Sequence, residues 1–338
     1  MEKETLNHKD IVSDMEDGNA TFPEASCRPM NGTFNSNSCQ RSPFFNGLGC
    51  LATVIIALAS IFGNMAVIIG FFFDETLRSQ VGNRLIVYLS CTDTLTAILV
   101  MLPSALSVAL NYWPFGIAAC KMHAFFNYSF SCSSSANVAF ISVDRAIAVA
   151  YPLKYQSIVT DKVIFGFMGW LIFQGSTIGT ILGLLKWSGY DNAEGVCAID
   201  YTANDTQAVF YLFNSACIVC YFIPVSIISV STFLIINIAY RSGKRDNQPM
   251  FVRRQKNSHM KKTIKSMIVV VATYYICFTP YAMSKLAKVL LRVDMPPWLN
   301  YATTITIFIN SASNPFIYAI LRKDYREAFK KIPNMIIK

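Results

Sequence analysis

A carboxylate in the middle of an apolar stretch must hold a cation, hold a proton or find a partner. Asp93 is such a group, in Leu89-Ser90-Cys91-Thr92-Asp93. Asp144-Arg145 closes a second apolar stretch with an adjacent acid and base. Asn310, Ser311 and Asn314 bring amides and a hydroxyl into a third, just ahead of Pro315, and Asn64 follows Gly63 in a fourth. Asn and Ser in such places also serve simply to join helices by hydrogen bonds; for Asn64 that role and a functional one stand equal. The set is not catalytic equipment. Asp93 is the one acid deep in an apolar stretch, with no second carboxylate or Ser–His pair beside it, so no enzyme chemistry is expected. His8, His123 and His259 are scattered, and no CxxC…CxxC or HExxH spacing occurs, so no metal centre is expected beyond a simple cation.

The chain that must position these groups has 338 residues, 53% hydrophobic and 14% charged, with a formal net charge of +9. Soluble domains carry about 25% charged residues. Half that charge at this apolarity excludes an ordinary soluble enzyme, and the apolar content excludes disorder over most of the length. Seven apolar stretches lie near 45–73, 82–110, 117–150, 163–186, 207–240, 260–291 and 297–321. Each is long enough to cross about 30 Å of hydrocarbon as a helix of about 20 residues. The expected architecture is an all-α bundle of seven membrane helices over 45–321. A tail over 1–44 precedes it, and a short helix with a brief tail over 322–338 follows.

Charge fixes the orientation. Segment 241–265 carries nine Lys and Arg against Asp246, and the tail adds Arg322, Lys323, Arg326, Lys330, Lys331 and Lys338. Basic residues gather on the cytoplasmic side, so the N-terminus lies outside the cell, at the plasma membrane. The tail ahead of residue 45 is acidic on balance. Asn19, Asn31 and Asn204 each open a glycosylation acceptor triplet. The basic run lies between two membrane spans, which makes it a poor nucleic-acid surface. Of the ten Cys, Cys91, Cys132, Cys217, Cys220 and Cys277 sit in apolar spans, where a free Cys behaves as a small hydrophobe. Cys120 and Cys197 fall at the oxidising outer side, where a disulfide is allowed. Cys27 and Cys39 could also pair.

Taken in order, the span motifs resemble the rhodopsin-like (class A) G-protein-coupled receptors. The matches are Gly63-Asn64; Leu89 with Asp93; Trp113-Pro114-Phe115-Gly116 before Cys120; Asp144-Arg145 with Tyr151-Pro152-Leu153; Trp170; Pro224; Cys277-Phe278-Thr279-Pro280; and Asn314-Pro315-Phe316-Ile317-Tyr318. The resemblance covers about 45–333. It implies that Arg145 rests against Asp144 and is freed for a heterotrimeric G protein when the sixth helix swings outward. Asn314, Pro315 and Tyr318 belong to the same switch. It also implies that Asp93, Ser134, Asn310, Ser311 and Asn314 form a sodium pocket, the one ion expected in a protein with no other cofactor. Leu321 to Lys331 reads as an amphipathic helix along the membrane, with Tyr325, Ala328 and Phe329 facing lipid.

Departures from the family pattern matter too. Ala146 follows Arg145, where Tyr is usual; Phe278 stands where Trp is usual; Thr232 replaces an aromatic partner for Tyr318. Lys261, Lys262 and Lys265 crowd the base of span six where an acid is common, which implies a weak inner latch and ligand-independent activity. The seventh residue after Cys120 is Asn127, not the Asp that amine receptors carry, so a simple monoamine loses its ion pair. Phe308 stands where an opsin has Lys, so no covalent retinal is expected. The expected pocket is lined by Asn127, Tyr128, Ser131, Phe278, Tyr281, Lys285 and Thr304. It would take a small extracellular ligand, with a short peptide, or a non-signalling or constitutively active receptor, as the other readings. For Lys285, contact with an acidic ligand group and snorkelling to the surface are both open.

Overall fold

The computed structural model describes residues 42–184, 188–199, 206–245, 250–291 and 295–336. Asn19, Asn31 and Asn204, and the pair Cys27 and Cys39, lie outside the described residues. Seven long helices follow in order: α1 (Pro43–Phe73), α2 (Asn83–Leu110), α3 (Gly116–Ala150), α4 (Asp161–Leu184), α5 (206–245), α6 (250–291) and α7 (Pro297–Leu321). A further helix, α8 (Lys323–Ile336), runs on from α7 after the single residue Arg322. The boundaries fall within a few residues of the seven apolar stretches at most ends; α6 begins earlier, in the basic segment. A small antiparallel hairpin, β1 (Ser188–Asp191) and β2 (Val196–Ile199), lies between α4 and α5.

Among the described residues, five helices are apolar and long enough to cross a membrane by composition: α1, α2, α4, the greater part of α5, and α7. Helix α3 falls outside that set because it is the polar centre of the bundle. Asn127, Ser129, Ser133, Ser134, Ser135 and Asn137 are all buried on it. With no water to bond in hydrocarbon, these groups must find partners within the protein. Ser133 donates to Leu171 O at 2.9 Å on α4, Asn137 to Leu85 O at 2.9 Å on α2, and Ser135 to Cys220 O at 2.7 Å on α5. Large apolar side chains point the other way: Phe62, Phe173, Phe233 and Ile276 are mostly exposed. That is an inside-out arrangement suited to lipid.

Close approach of α3 and α4 uses small residues, as membrane helices do without a hydrophobic drive between them. Gly175, Gly179 and Gly183 lie one turn apart on α4 against Ser133, Ser129 and the backbone of Phe125. Gly63 on α1 similarly receives the Pro315 ring of α7, which would lie 2.9 Å from a Cβ there. Asn64 donates to Ser60 O at 2.9 Å and to Ser311 O at 3.2 Å, so it joins α1 to α7.

Two expectations are corrected here. Cys132 and Cys220 are not free thiols but a disulfide joining α3 to α5; two Cys on separate apolar spans give no signal of pairing until the helices are packed. Tyr325, Ala328 and Phe329 do not face lipid. Tyr325 and Ala328 are fully buried, and Ala328 and Phe329 pack beside Gly70 of α1. The apolar face of α8 is turned to the bundle. Lys331 fastens this helix to Asp74 at 2.8 Å. That bond to Lys331, outweighing the opposing effect of desolvation, holds the Asp74 carboxyl below its ordinary range.

Replacing Gly183 with Ala places a methyl inside the contact distance of the Phe125 backbone, so a loss of about 1–3 kcal/mol is expected. Gly166→Ala, with open space around its site, should be near neutral. Thermal melting of the two purified variants checks the difference.

Candidate functional site

The outer half of the bundle contains a cavity between α3, α5, α6 and α7. Asn127, Tyr128, Ser131, Phe278, Tyr281 and Lys285 line it, as do Cys132, Cys217, Cys220, Tyr221, Ala282 and Ile307. Six of the seven expected lining residues are therefore brought together. Thr304 is not among them: it is buried within α7, its hydroxyl given to Asn300 O at 3.3 Å.

The β1–β2 hairpin joins this cavity's lining at Tyr128 and Lys285 and is tied down from several directions. Cys197 on β2 is bonded to Cys120 at the start of α3, the disulfide the sequence allowed. Tyr128 Oη accepts the Ile199 N–H at 3.1 Å. The Cys197 N–H meets His123 Nδ1 at 3.4 Å, and His123 Nε2 lies 3.1 Å from Val100 O. One neutral tautomer satisfies both, with Nε2 donating and Nδ1 accepting. At the hairpin tip Gly195 takes φ +69°, and Ser104 donates to its carbonyl at 2.5 Å.

The tip carries two acids that sequence reasoning did not single out. Glu194 is buried and paired with Lys285 of α6, itself buried. Lys288 meets Asp191 at 2.8 Å and Glu194 at 3.5 Å. Lys285 therefore does not snorkel; the loop folds an acid onto it. Burial alone would raise the Asp191 carboxyl, but Lys288 and then Lys285 outweigh it and hold the group below the ordinary carboxylate range. The signal was present in the sequence as acids just ahead of Cys197 and lysines one turn apart, but only the packed hairpin joins them.

Below the cavity, Phe278 is stacked between Tyr221, with ring centroids 6.4 Å apart, and Tyr274, at 5.0 Å. Tyr274 Oη lies 2.6 Å from Ser135 Oγ, and Tyr221 donates to Thr279 Oγ1 at 2.9 Å. Tyr221, Tyr274 and Ser135 link α3, α5 and α6 and were also missed; a buried Tyr in a span is indistinguishable from packing until its hydroxyl has a partner. Deeper still, Asn314 donates to Asp93 Oδ2 at 2.8 Å. Asn310 and Ser311 are buried on the same helix, and Ser134 is buried on α3.

At the inner end Arg145 Nη2 lies 2.7 Å from Asp144 Oδ2. Tyr155, on a single helical turn in the loop after α3, donates to Asp144 Oδ1 at 2.6 Å. Burial, then that carboxylate, holds the Tyr155 phenol protonated well above its ordinary range. Tyr318 packs on Tyr325 of α8, with centroids 5.6 Å apart, and Arg322 covers the Tyr325 ring. Thr232 spends its hydroxyl on Ile228 O of its own helix at 2.8 Å. The side chains of Lys261 and Lys262 lie outside the described residues.

Seven helices around a polar α3, a disulfide-tethered outer hairpin and an inner Asp–Arg pair define a seven-helix membrane receptor. Residues 63–318 match the 7 transmembrane receptor (rhodopsin family), and the chain belongs to that family. It is thus a multi-pass plasma-membrane receptor that couples an extracellular ligand to heterotrimeric G proteins. Among curated proteins it is 28% identical to trace amine-associated receptor 6 of Homo sapiens, with 88% of this chain and 89% of the relative covered. It is 26% identical to trace amine-associated receptor 7h of Rattus norvegicus, with 88% and 86% covered. It is also 26% identical to the D(1A) dopamine receptor of Xenopus laevis, with 84% and 71% covered.

Gly82, at the start of α2, abuts the inner pair: a Cβ there would lie 2.7 Å from Arg145 Nη2 and 2.8 Å from Asp144 Oδ2. Gly82→Ala is expected to loosen the pair and raise ligand-free G-protein activation several-fold, read against surface expression. Basal activity at or below the parent level would count against the contact as a restraint.

Proposed function

We propose that the receptor works as a two-ended device. The small cavity under the hairpin takes a small-molecule ligand, and the Asp144–Arg145 pair is the output. The observation that carries this reading is the stack at the floor of the cavity: Phe278, Tyr274 and Ser135 join the helix that must move, α6, to the polar centre, α3, which also carries the Asp144–Arg145 pair. Ligand contacts that favour one arrangement of α6 over another shift a two-state equilibrium, and the outward arrangement frees Arg145 for the G protein. In the arrangement seen, Asp144 holds Arg145 and is itself held by Tyr155, which is a resting geometry. The relatives' names point to amines. Asn127 gives such a ligand no counter-charge at the position after Cys120 where amine receptors carry Asp.

A sodium ion fits the groups beneath the cavity. Asp93 Oδ1, Ser134 Oγ and Ser90 Oγ are buried oxygens without a hydrogen-bond partner, and hard cations take oxygen ligands. Asp93 and Ser134 would hold it, with Asn310, Ser311 and Asn314 alongside. When bound, such an ion supplies the positive charge that the Asp93 carboxylate requires and favours the resting arrangement.

Two outcomes are expected. Arg145→Ala abolishes G-protein activation while surface expression persists; unchanged activation overturns the switch assignment. Asp93→Asn removes the sodium dependence of activation, measured with sodium replaced by a large organic cation at constant ionic strength. Sodium dependence that survives the substitution places the ion elsewhere.

A further inference from the structure

The cavity beneath the hairpin measures about 80 Å³, whereas pockets for drug-sized ligands span roughly 300–1,000 Å³. A ligand of that size needs more room, and at Lys285 the lining is joined to the hairpin by Glu194. Lys285 is also the one charged side chain among the residues lining the cavity; the rest are apolar, aromatic, hydroxyl, amide or sulfur groups. Its ammonium lies 5.3 Å from the Tyr281 ring centroid. Glu194 therefore acts as a carboxylate supplied by the protein itself to a cation at the mouth of an apolar pocket.

We propose that the ligand is a small apolar carboxylate that binds by replacing Glu194 on Lys285. This rests on the receptor reading above and names the ligand class for its outer end. The pairing of the charges favours an acid. Lys285, Lys288, Asp191 and Glu194 cancel among themselves. An entering carboxylate exchanges one anion for another, so Lys285 is never left buried and unpaired, which is the costly outcome for an ion pair. The displaced Glu194 keeps a cation within reach, because Lys288 is already at 3.5 Å. An entering ammonium would have to take Glu194 from Lys285, leaving a buried cation on a helix. Glu194 stands at the turn between β1 and β2, whereas Lys285 is on α6. Tyr128, Tyr281 and Phe278 supply the apolar walls for the ligand's body, and Asn127 and Ser131 supply neutral polar contacts. Exchanging the Lys285–Glu194 bond removes one of the ties between α6 and the loop and leaves Lys288 on Asp191, so ligand exchange loosens the outer end of α6.

The test uses the full-length receptor in lipid nanodiscs, with thermal stabilisation and G-protein activation as readouts. The probes are a series of arylalkanoates and n-alkanoates, each against the amine of the same skeleton, with 3-phenylpropanoate and phenethylamine as one such pair. Carboxylates are expected to stabilise and activate the parent receptor, and the matched amines are not. Glu194→Gln, which removes the internal competitor, should raise carboxylate potency by at least about tenfold, and Lys285→Gln should lower it by a similar factor. The double exchange Lys285→Glu with Glu194→Lys keeps a neutral pair and should invert the preference towards amines; it also guards against a single variant that fails to fold. Amines acting on the parent receptor while carboxylates do not would overturn the proposal. So would carboxylate potency unchanged in Lys285→Gln, or no carboxylate acting at all. If ligand-free activation that depends on Arg145 survives such a failure, the ligand class alone is wrong; if that signal is also missing, the receptor reading falls with it.

Discussion

Hydrocarbon accepts no hydrogen bonds, and most of this molecule's design follows from that. Most polar groups on the spans are turned inward and answered there, or bonded back to their own helix. Helix α3 collects the largest share of them, and its serines and asparagines reach α2, α4 and α5 in turn. The bundle is therefore organised around a polar axis with an apolar exterior, the reverse of a soluble domain. The same rule explains why the few charges at depth come in pairs. Glu194 meets Lys285, and Asp144 meets Arg145 and Tyr155. Asp93 meets Asn314 and keeps one oxygen unanswered.

Answered charges are also replaceable charges. A buried hydrogen bond to the backbone of a neighbouring helix fixes one donor to one place, because breaking it leaves that donor unanswered in hydrocarbon. An ion pair between a loop and a helix can be exchanged for another of the same sign. The bonds that hold the bundle together are mostly of the first kind; those at its outer end are of the second, and at the inner end Asp144 and Arg145 pair within α3. This division lets the ends change state while α3 with α2 and α4 stays fixed.

The helices and their order were legible in the sequence because a membrane span is a one-dimensional signal: length and apolarity suffice. The Asp144–Arg145 pair was legible because the two are chain neighbours in a short motif. Most of the pocket was legible too, since helical spacing from Cys120 and Pro280 places Asn127, Tyr128, Ser131, Phe278, Tyr281 and Lys285. Relations between distant elements were not. Cys132 with Cys220, Glu194 with Lys285, and Ser135 with Tyr274 join residues more than 80 positions apart. The burial of Tyr325 depends on which way α8 rolls. Amphipathic patterning shows that a helix has an apolar face, not whether lipid or protein covers it. Thr304 failed for a smaller reason, its hydroxyl being turned back onto its own helix.

Four of the long helices contain a five-residue widened turn: Ala97–Met101 in α2, Thr180–Leu184 in α4, Ile218–Phe222 in α5 and Ala287–Leu291 in α6. Each lies in the outer half of its helix, and such turns hold one more residue than a regular one. Everything beyond it is rotated by about 100° relative to an unbroken helix. The outer and inner halves of these spans thus run on separate clocks. A residue gained or lost near the hairpin re-aims the side chains above the widened turn and leaves the inner phase untouched. Such a chain can diversify what it detects without retuning the machinery that reports it.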